Sequence, residues 1–272
     1  VDTPYFNFNS VIQQAIIENH AFLLPFLTGK LGLRLFPVLR DSAYFCPPEL
    51  VRDRIINEVE RSGNRPFFIA SFFSSTHFPY APAHPYYLKY ADRAYDGQYK
   101  YFKQRTISLE GESGYEKVTP RDVEQVRALY DGGLRSFDDA VGGIIDHLEK
   151  SGMLDNTIVV VLSDHGENLY EGILGMGHGE HFRGSYSTKI PLIIHYPKND
   201  SARREVPGIV RHVDIAPTLL ELAGLKAPSR MEGVSLVPAM KGQALPELVA
   251  FGETGIWFDN SMRDDLFFQK LR

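Results

Sequence analysis

The chain has 272 residues, 43% of them hydrophobic, which is enough for one large α/β domain or two small ones, and nothing in the composition requires two. A formal net charge of −5 gives no indication of a nucleic-acid partner. The single cysteine, Cys46, excludes an internal disulfide framework, and no run of about eighteen uncharged apolar residues predicts a membrane span.

The amino-terminal part of the chain, residues 1–45, is rich in aromatic and aliphatic residues and carries no motif that indicates chemistry. Its most apolar stretch, residues 21–39, contains Lys30, Arg34 and two prolines, so it favours a buried pair of helices over a membrane span. The first clear helix is predicted over residues 49–63, because apolar residues recur at helical spacing after two prolines and stop at a glycine.

A strand buried on both faces is predicted over residues 67–74, which form a continuous apolar run. His77 follows just beyond its carboxyl end. Residues 81–119 are rich in tyrosine, proline and glycine without clear periodicity, which predicts a long excursion that walls a site. The longest helix is predicted over residues 120–150, with a proline at its start.

A second buried strand is predicted over residues 157–162, where apolar and β-branched residues run directly towards Asp164 and His165. Asp214 is expected to have a structural role, as the cap of a helix over residues 215–222. Shorter strands are predicted over residues 190–195, 208–214 and 248–251.

Asp164 and His165 stand where an open α/β sheet binds its ligands, beyond the carboxyl end of a strand. A carboxylate oxygen and a neutral imidazole nitrogen can coordinate one divalent cation or two neighbouring ones. The alternative is an aspartate that closes a turn and caps a helix, with an unrelated histidine after it. If this pair binds metal, the imidazole favours a transition metal over calcium, which prefers oxygen ligands.

The loop over residues 166–184 contains six glycines, interleaved with His178, His181 and Arg183. A long loop at the end of a strand is usually functional or disordered, and three cationic or metal-binding side chains favour function. If the strands over residues 67–74 and 157–162 are parallel, His77 is expected at the same sheet edge as the aspartate and histidine that follow the second strand.

Several of these segments, in this order and spacing, resemble the carboxyl-terminal half of the sulfatase branch of the alkaline phosphatase superfamily. The resemblance implies an α/β fold, an alkaline-phosphatase-like sandwich whose mostly parallel sheet has helices on both faces. It implies a single partial domain over residues 1–272 that lacks the amino-terminal part of the fold, with residues 65–225 as the core of the resemblance. The matching segments are residues 155–167, Gly177-His178-Gly179, Arg183-Gly184, Tyr186, and residues 190–194, 67–79, 130–142 and 213–224.

The resemblance also implies a role for each candidate side chain. Asp164 and His165 match metal ligands, for Mn, Zn, Mg or Ca, and the adjacent histidine favours a transition metal. A metal with fixed cations neutralises the charge on an anionic ester. The implied catalytic residues are His77 and His178, and the implied substrate-binding residues are His181 and Arg183.

The leading function is a metal-dependent hydrolase of sulfate or phosphate esters. The alternatives are a transferase that moves a phosphate-linked lipid headgroup of the phosphoethanolamine or phosphoglycerol type, and a non-catalytic sulfatase-fold domain that binds a partner. The expected partner is an anionic ester substrate, with no nucleic acid. Substrate, metal identity and oligomeric state are not indicated by the sequence.

The family's nucleophile is a Ser or Thr, or a formylglycine made within a Cys/Ser-x-Pro-x-Arg motif, and neither is found. Cys46 and Pro48 fit that motif, but Leu50 stands where arginine is needed, which indicates a loop cysteine. We therefore expect the chain to be the carboxyl-terminal portion of a longer protein. By itself it should bind metal weakly and turn over aryl sulfates negligibly.

Related bacterial proteins with Asp-His-Gly-Glu followed by Gly-His-Gly often carry amino-terminal membrane segments and face the periplasm. The resemblance therefore implies a periplasmic or other extracytoplasmic location. It also implies a tether to the inner membrane through segments outside these residues.

Overall fold

The computed structural model describes residues 46–78, 80–100, 118–171, 176–178, 185–197 and 205–252. The predictions for residues 1–45 lie outside this part of the chain. The described residues divide into two compact units, within residues 46–152 and 167–178 for the first and within residues 153–166 and 185–252 for the second. The prediction of a single domain over residues 1–272 stays a prediction.

The first unit contains two helices, α1 (Pro48–Ser62) and α2 (Pro120–Lys150), and both predicted helices are confirmed to within a residue at each end. Helix α1 starts with proline and stops at Gly63, whose φ of 56° lies in the left-handed region. Helix α2 begins with a capping box, in which Thr119 Oγ1 accepts from the Asp122 N–H and the Asp122 carboxylate accepts from the Thr119 N–H.

The core of the first unit is rich in tyrosine. Residues 81–119 are predicted to wall a site, and their described part instead supplies much of this core together with helix α2. Gly133 of α2 lets the chain approach closely, because a Cβ there would lie 2.2 Å from the carbonyl oxygen of Ser75. The buried cluster comprises Tyr80, Tyr87, Tyr95, Tyr99, Val126 and Leu129.

The strand predicted over residues 67–74 is wrong in its burial and in its pairing among the described residues. Phe68 and Phe72 are 84% and 65% exposed, and no described residue pairs with this segment in a ladder. Phe73 packs edge-to-face on Phe137 of α2, with ring centroids 5.1 Å apart. An apolar run predicts a buried strand only where a neighbouring strand and a covering layer exist on both faces.

The second unit is built on the strand pair β1 (Val159–Leu162) and β4 (Leu192–His195), with Val159 opposite His195 and Leu162 opposite Leu192. Both strands are confirmed, but β1 is not buried on both faces as predicted, since none of its residues is fully buried and Leu162 is 39% exposed. The pairing is also antiparallel, which differs from the predicted mostly parallel sheet. Two further strands among the described residues, β2 (Asn168–Leu169) and β3 (Met176–Gly177), form a short antiparallel pair in the first unit.

The strands predicted over residues 208–214 and 248–251 are wrong, because the described chain is irregular there apart from a 3-10 turn, His212–Asp214. Helix α3 (Ile215–Leu222) follows as expected, and helix α4 covers Val237–Met240. Among the described residues, no helix has the length and apolarity needed to cross a bilayer.

Asp214 is structural, but it does not cap α3 with its side chain. Its fully buried carboxylate instead accepts hydrogen bonds from the backbone N–H groups of Arg211 and Val234, each at 2.9 Å, and from the Arg211 guanidinium at 2.8 and 3.1 Å. Asp214, predicted to cap a helix, therefore connects the 3-10 turn to the segment at residue 234.

Candidate functional site

Asp164 and His165 follow the carboxyl end of β1, in the second unit. Their side chains are 61% and 39% exposed, and Asp164 Oδ2 lies 3.5 Å from His165 Nε2. The other carboxylate oxygen accepts from the backbone N–H of His165 at 3.1 Å. The two side chains that the sequence assigns to a metal therefore point the same way and reach solvent.

The His165 ring is held by the turn that follows it. Its Nδ1–H donates to the carbonyl oxygen of Gly166 at 2.9 Å, since a carbonyl can only accept, and this tautomer assigns the lone pair to Nε2. Gly166 in turn donates its N–H to the carbonyl of Ser187 at 2.9 Å, and a Cβ at Gly166 would lie 1.8 Å from the carbonyl oxygen of Tyr186. Only glycine fits this close approach.

His212 supports the same end of β1, although no sequence motif pointed to it. Its Nε2–H donates to the carbonyl oxygen of Ser163 at 3.0 Å, immediately before Asp164. This contact joins residues 49 positions apart, so no local pattern could have predicted it.

His178 and Glu167 form a second cluster, in the first unit. His178 Nδ1 lies 3.1 Å from both carboxylate oxygens of Glu167. The two side chains are only 16% and 7% exposed. Sequence reasoning selected His178 but missed its partner, whose position directly after Asp164-His165-Gly166 was the available signal.

His77 joins this cluster, as expected for the two imidazoles. Its ring lies 5.3 Å from that of His178, centroid to centroid, and its Nδ1–H donates to the carbonyl oxygen of Phe78 at 2.6 Å. The Phe78 ring packs against His178 with centroids 5.4 Å apart. That His77 and His178 share a sheet edge with Asp164 stays a prediction.

Tyr80 lies near Glu167 and was not predicted. Its ring is 1% exposed and meets Tyr130 edge-to-face at 5.5 Å. Burial and the nearby Glu167 carboxylate raise the pKa of the Tyr80 hydroxyl. The buried carboxylate thus lies beside the side chains of two tyrosines and one histidine.

Comparison with known proteins decides the family. A sequence model of the Sulfatase family matches residues 3–225. The chain belongs to the sulfatase family. This confirms the resemblance to the sulfatase branch of the alkaline phosphatase superfamily.

Two curated sulfatases and one solved structure illustrate the relationship. An N-acetylglucosamine-6-O-sulfatase from Bacteroides thetaiotaomicron is 39% identical over 111 residues, which is 40% of this chain and 19% of the relative. Arylsulfatase K from Bos taurus is 36% identical over 126 residues, 45% of this chain and 22% of the relative. The sulfatase chain thus spans about a fifth of each relative in these matches.

The fold comparison covers more of the chain. A phosphonate monoester hydrolase from Silicibacter pomeroyi matches 77% of this sulfatase chain and 43% of its own, with a TM-score of 0.54 and 21% identity. At that identity the likeness concerns the fold alone, and it confirms the predicted α/β, alkaline-phosphatase-like class.

Sulfatases generally use a divalent metal ion, and the Asp164–His165 pair fits one. A tetrahedral ion with bonds of about 2.1 Å holds its ligands about 3.4 Å apart, close to the 3.5 Å between Oδ2 and Nε2. The backbone carbonyl on Nδ1 is the kind of second contact that orients a ligating histidine. Within the described ranges, no cluster of three or more His, Cys, Asp or Glu side chains completes a metal site.

The remaining candidates are Cys46, His181 and Arg183. The last two lie outside the described residues. Cys46 precedes α1, and burial together with the Glu49 carboxylate raises the pKa of its thiol, which disfavours the nucleophilic thiolate. These surroundings agree with a loop cysteine.

Proposed function

We propose that this sulfatase chain contributes the metal-binding and anion-binding residues of an enzyme that hydrolyses sulfate esters, with sulfated carbohydrates as the substrate class. The observation that carries the proposal is the Asp164–His165 pair, whose carboxylate and oriented imidazole face each other at 3.5 Å. The carbohydrate substrate is inferred from the relative named as an N-acetylglucosamine-6-O-sulfatase.

Asp164 Oδ2 and His165 Nε2 would hold the divalent cation, and the imidazole favours zinc or manganese over calcium. When bound, such a cation neutralises charge on the ester's non-bridging oxygens and lowers the barrier to attack. Gly166 keeps His165 in the ligating tautomer through its carbonyl oxygen. His212 fixes the backbone just before the aspartate.

His77 and His178 would act on the ester itself. Each ring donates from Nδ1 to a fixed acceptor, so each would present Nε2 to the substrate. In the doubly protonated imidazolium, the Nε2–H would donate to an oxyanion or protonate the leaving oxygen. His181 and Arg183 would bind the remaining sulfate oxygens. Arginine suits this role because its planar guanidinium can bind two oxygens at once.

We also place the protein outside the cytoplasm, where sulfatases typically act, with a tether to the inner membrane. Fractionation of the native cells tests this location. Recovery of the protein in the soluble cytosolic fraction would contradict it.

Isothermal titration with Zn²⁺ and Mn²⁺ tests the metal assignment. We expect weak binding at one ion per chain, lost in Asp164→Ala and His165→Ala. Asp155→Ala is the matched control, because it removes an exposed carboxylate from the same unit and should leave binding unchanged. Equal binding by all variants would place the metal elsewhere.

Turnover tests the reaction class, with the complete native protein and its nucleophile. We expect faster turnover of 4-nitrophenyl sulfate than of bis(4-nitrophenyl) phosphate. Asp164→Ala should abolish the turnover of both. The opposite preference would favour phosphate-ester chemistry and contradict the sulfatase assignment.

A further inference from the structure

We propose that Glu167 is a positioning residue for His178, fixing the tautomer and direction of its ring. This inference rests on the proposed function, in which His178 acts on the ester. Glu167 does not touch the substrate in this scheme. It determines which imidazole nitrogen does.

The first argument is the geometry of the pair. Nδ1 of His178 lies 3.1 Å from each Glu167 oxygen, so one N–H is shared between the two lone-pair sites of the carboxylate. An ionised carboxylate can only accept, which assigns the proton to Nδ1. Any action of His178 on a substrate therefore falls to Nε2.

The second argument is burial. The Glu167 side chain is 7% exposed and lies beside the aromatic rings of Tyr80 and Tyr130, whose hydroxyl pKa values it raises. A carboxylate in such surroundings is costly unless it is paired, and His178 lies at hydrogen-bond distance from it. The pair is thus held inside the unit, unlike an exposed surface ion pair, which contributes little.

The third argument is the frame that carries the two side chains. Glu167 directly precedes β2 and His178 directly follows β3, and the antiparallel register places Asn168 opposite Gly177. The hairpin is fastened to helix α2 by Arg127, whose Nε–H donates to the carbonyl of Leu169 at 2.9 Å. The backbone of the β2–β3 pair, attached to helix α2, therefore places Glu167 and His178 next to each other.

Arg127 also reaches a second group on the hairpin, Glu171, with its Nη2 3.5 Å from the carboxylate. The other oxygen of Glu171 accepts from the backbone N–H of Leu169. Together these contacts hold both the N–H and the carbonyl of one β2 residue. The hairpin therefore has little freedom to turn Glu167 away from His178.

Histidine ¹⁵N NMR of the labelled chain tests the proposal without requiring turnover. In the wild type at pH 8, we expect His178 to show a protonated Nδ1 and an unprotonated-type Nε2 resonance. In Glu167→Ala and Glu167→Gln, the tautomer population should shift towards Nε2–H. Glu149→Gln is the matched control, since it removes an exposed carboxylate from the same unit and should leave the His178 spectrum unchanged.

Each outcome bears on the proposal. An Nε2–H tautomer in the wild type, or an unchanged His178 spectrum in both Glu167 variants, would overturn it. Near-ultraviolet circular dichroism confirms that each variant is folded. If Glu167→Ala fails to fold, the milder Glu167→Gln variant carries the test.

Kinetics of the complete native protein then link position to catalysis. Glu167→Gln should lower kcat about 10–100-fold with a smaller change in KM, the usual effect of removing a residue that orients a functional histidine. Glu167→Asp should recover part of the loss. The two proposals can fail separately. If the Glu167 variants show the expected tautomer shift but the wild type does not turn over sulfate esters, the proposed function is wrong and the positioning contact stands.

Discussion

Replacing Gly166 with alanine tests whether the turn after β1 holds His165 in its ligating position. The added Cβ would lie 1.8 Å from the carbonyl oxygen of Tyr186, a backbone atom that cannot rotate away. The residue-166 turn must therefore move, and the 2.9 Å hydrogen bond from its N–H to Ser187 is broken. His165 loses the carbonyl acceptor that fixes its ring.

The cost can be worked from these contacts. Losing one backbone hydrogen bond costs about 1 kcal/mol, and forcing an atom into filled space adds about 1–3 kcal/mol. We therefore expect Gly166→Ala to lower the free energy of unfolding by about 2–4 kcal/mol and to weaken Zn²⁺ binding. Urea unfolding followed by circular dichroism measures the first effect, and calorimetric titration measures the second.

Gly142→Ala is the matched control for this prediction. A Cβ at Gly142 meets nothing within 4 Å, and the residue lies inside helix α2, where alanine is favoured over glycine by about 1 kcal/mol. This variant should be more stable than the wild type and bind Zn²⁺ equally well. A Gly166→Ala protein with unchanged stability and metal affinity would refute the close approach on which the reasoning depends.

Two further predictions concern ionised groups outside the metal pair. Burial alone would raise the pKa of Asp214, but hydrogen bonds from Arg211 and from the backbone N–H of Val234 outweigh it and hold that pKa below its usual range. Its stabilising contribution is therefore present above about pH 4 and lost as the pH falls through the lowered folded-state pKa. We expect Asp214→Asn to lower Tm at pH 7 by several degrees, with a gap that narrows below pH 4; a gap independent of pH would contradict this linkage. Burial and a hydrogen bond to Asp122 raise the pKa of Tyr95 to about 12, so ultraviolet titration should detect its ionisation near pH 12. Tyr95→Phe should remove that late transition, and an unchanged titration curve would count against the assignment.

The helices could be predicted from the sequence because their signals are local. Prolines at the first helical positions, apolar spacing and the glycine at 63 determine where α1 and α2 begin and where α1 ends. Asp164 and His165 could be found for the same reason, since they are adjacent and directly follow an apolar strand. Residues that are adjacent in sequence are close in space whatever the tertiary fold.

The errors arise where the outcome depends on distant chain segments. Residues 67–74 have a strand-like composition, but composition does not reveal whether a neighbouring strand covers Phe68 and Phe72. Asp214 has the position of a helix cap, yet a guanidinium three residues earlier and an N–H 20 residues later capture its carboxylate. Glu167 and His178 are 11 residues apart in sequence, and they meet because the antiparallel pairing of β2 with β3 brings the two ends of this segment together.

The central claim is that Asp164 and His165 together hold a divalent cation. Zinc titration followed at the His165 ¹⁵N resonances tests it most directly. We predict that the Nε2 resonance of His165 shifts to a metal-bound value as zinc is added to saturation, that Nδ1 keeps its proton, and that Asp164→Ala abolishes the change. Zinc binding that leaves the His165 resonances unaltered, or that persists at His165 in Asp164→Ala, would contradict it.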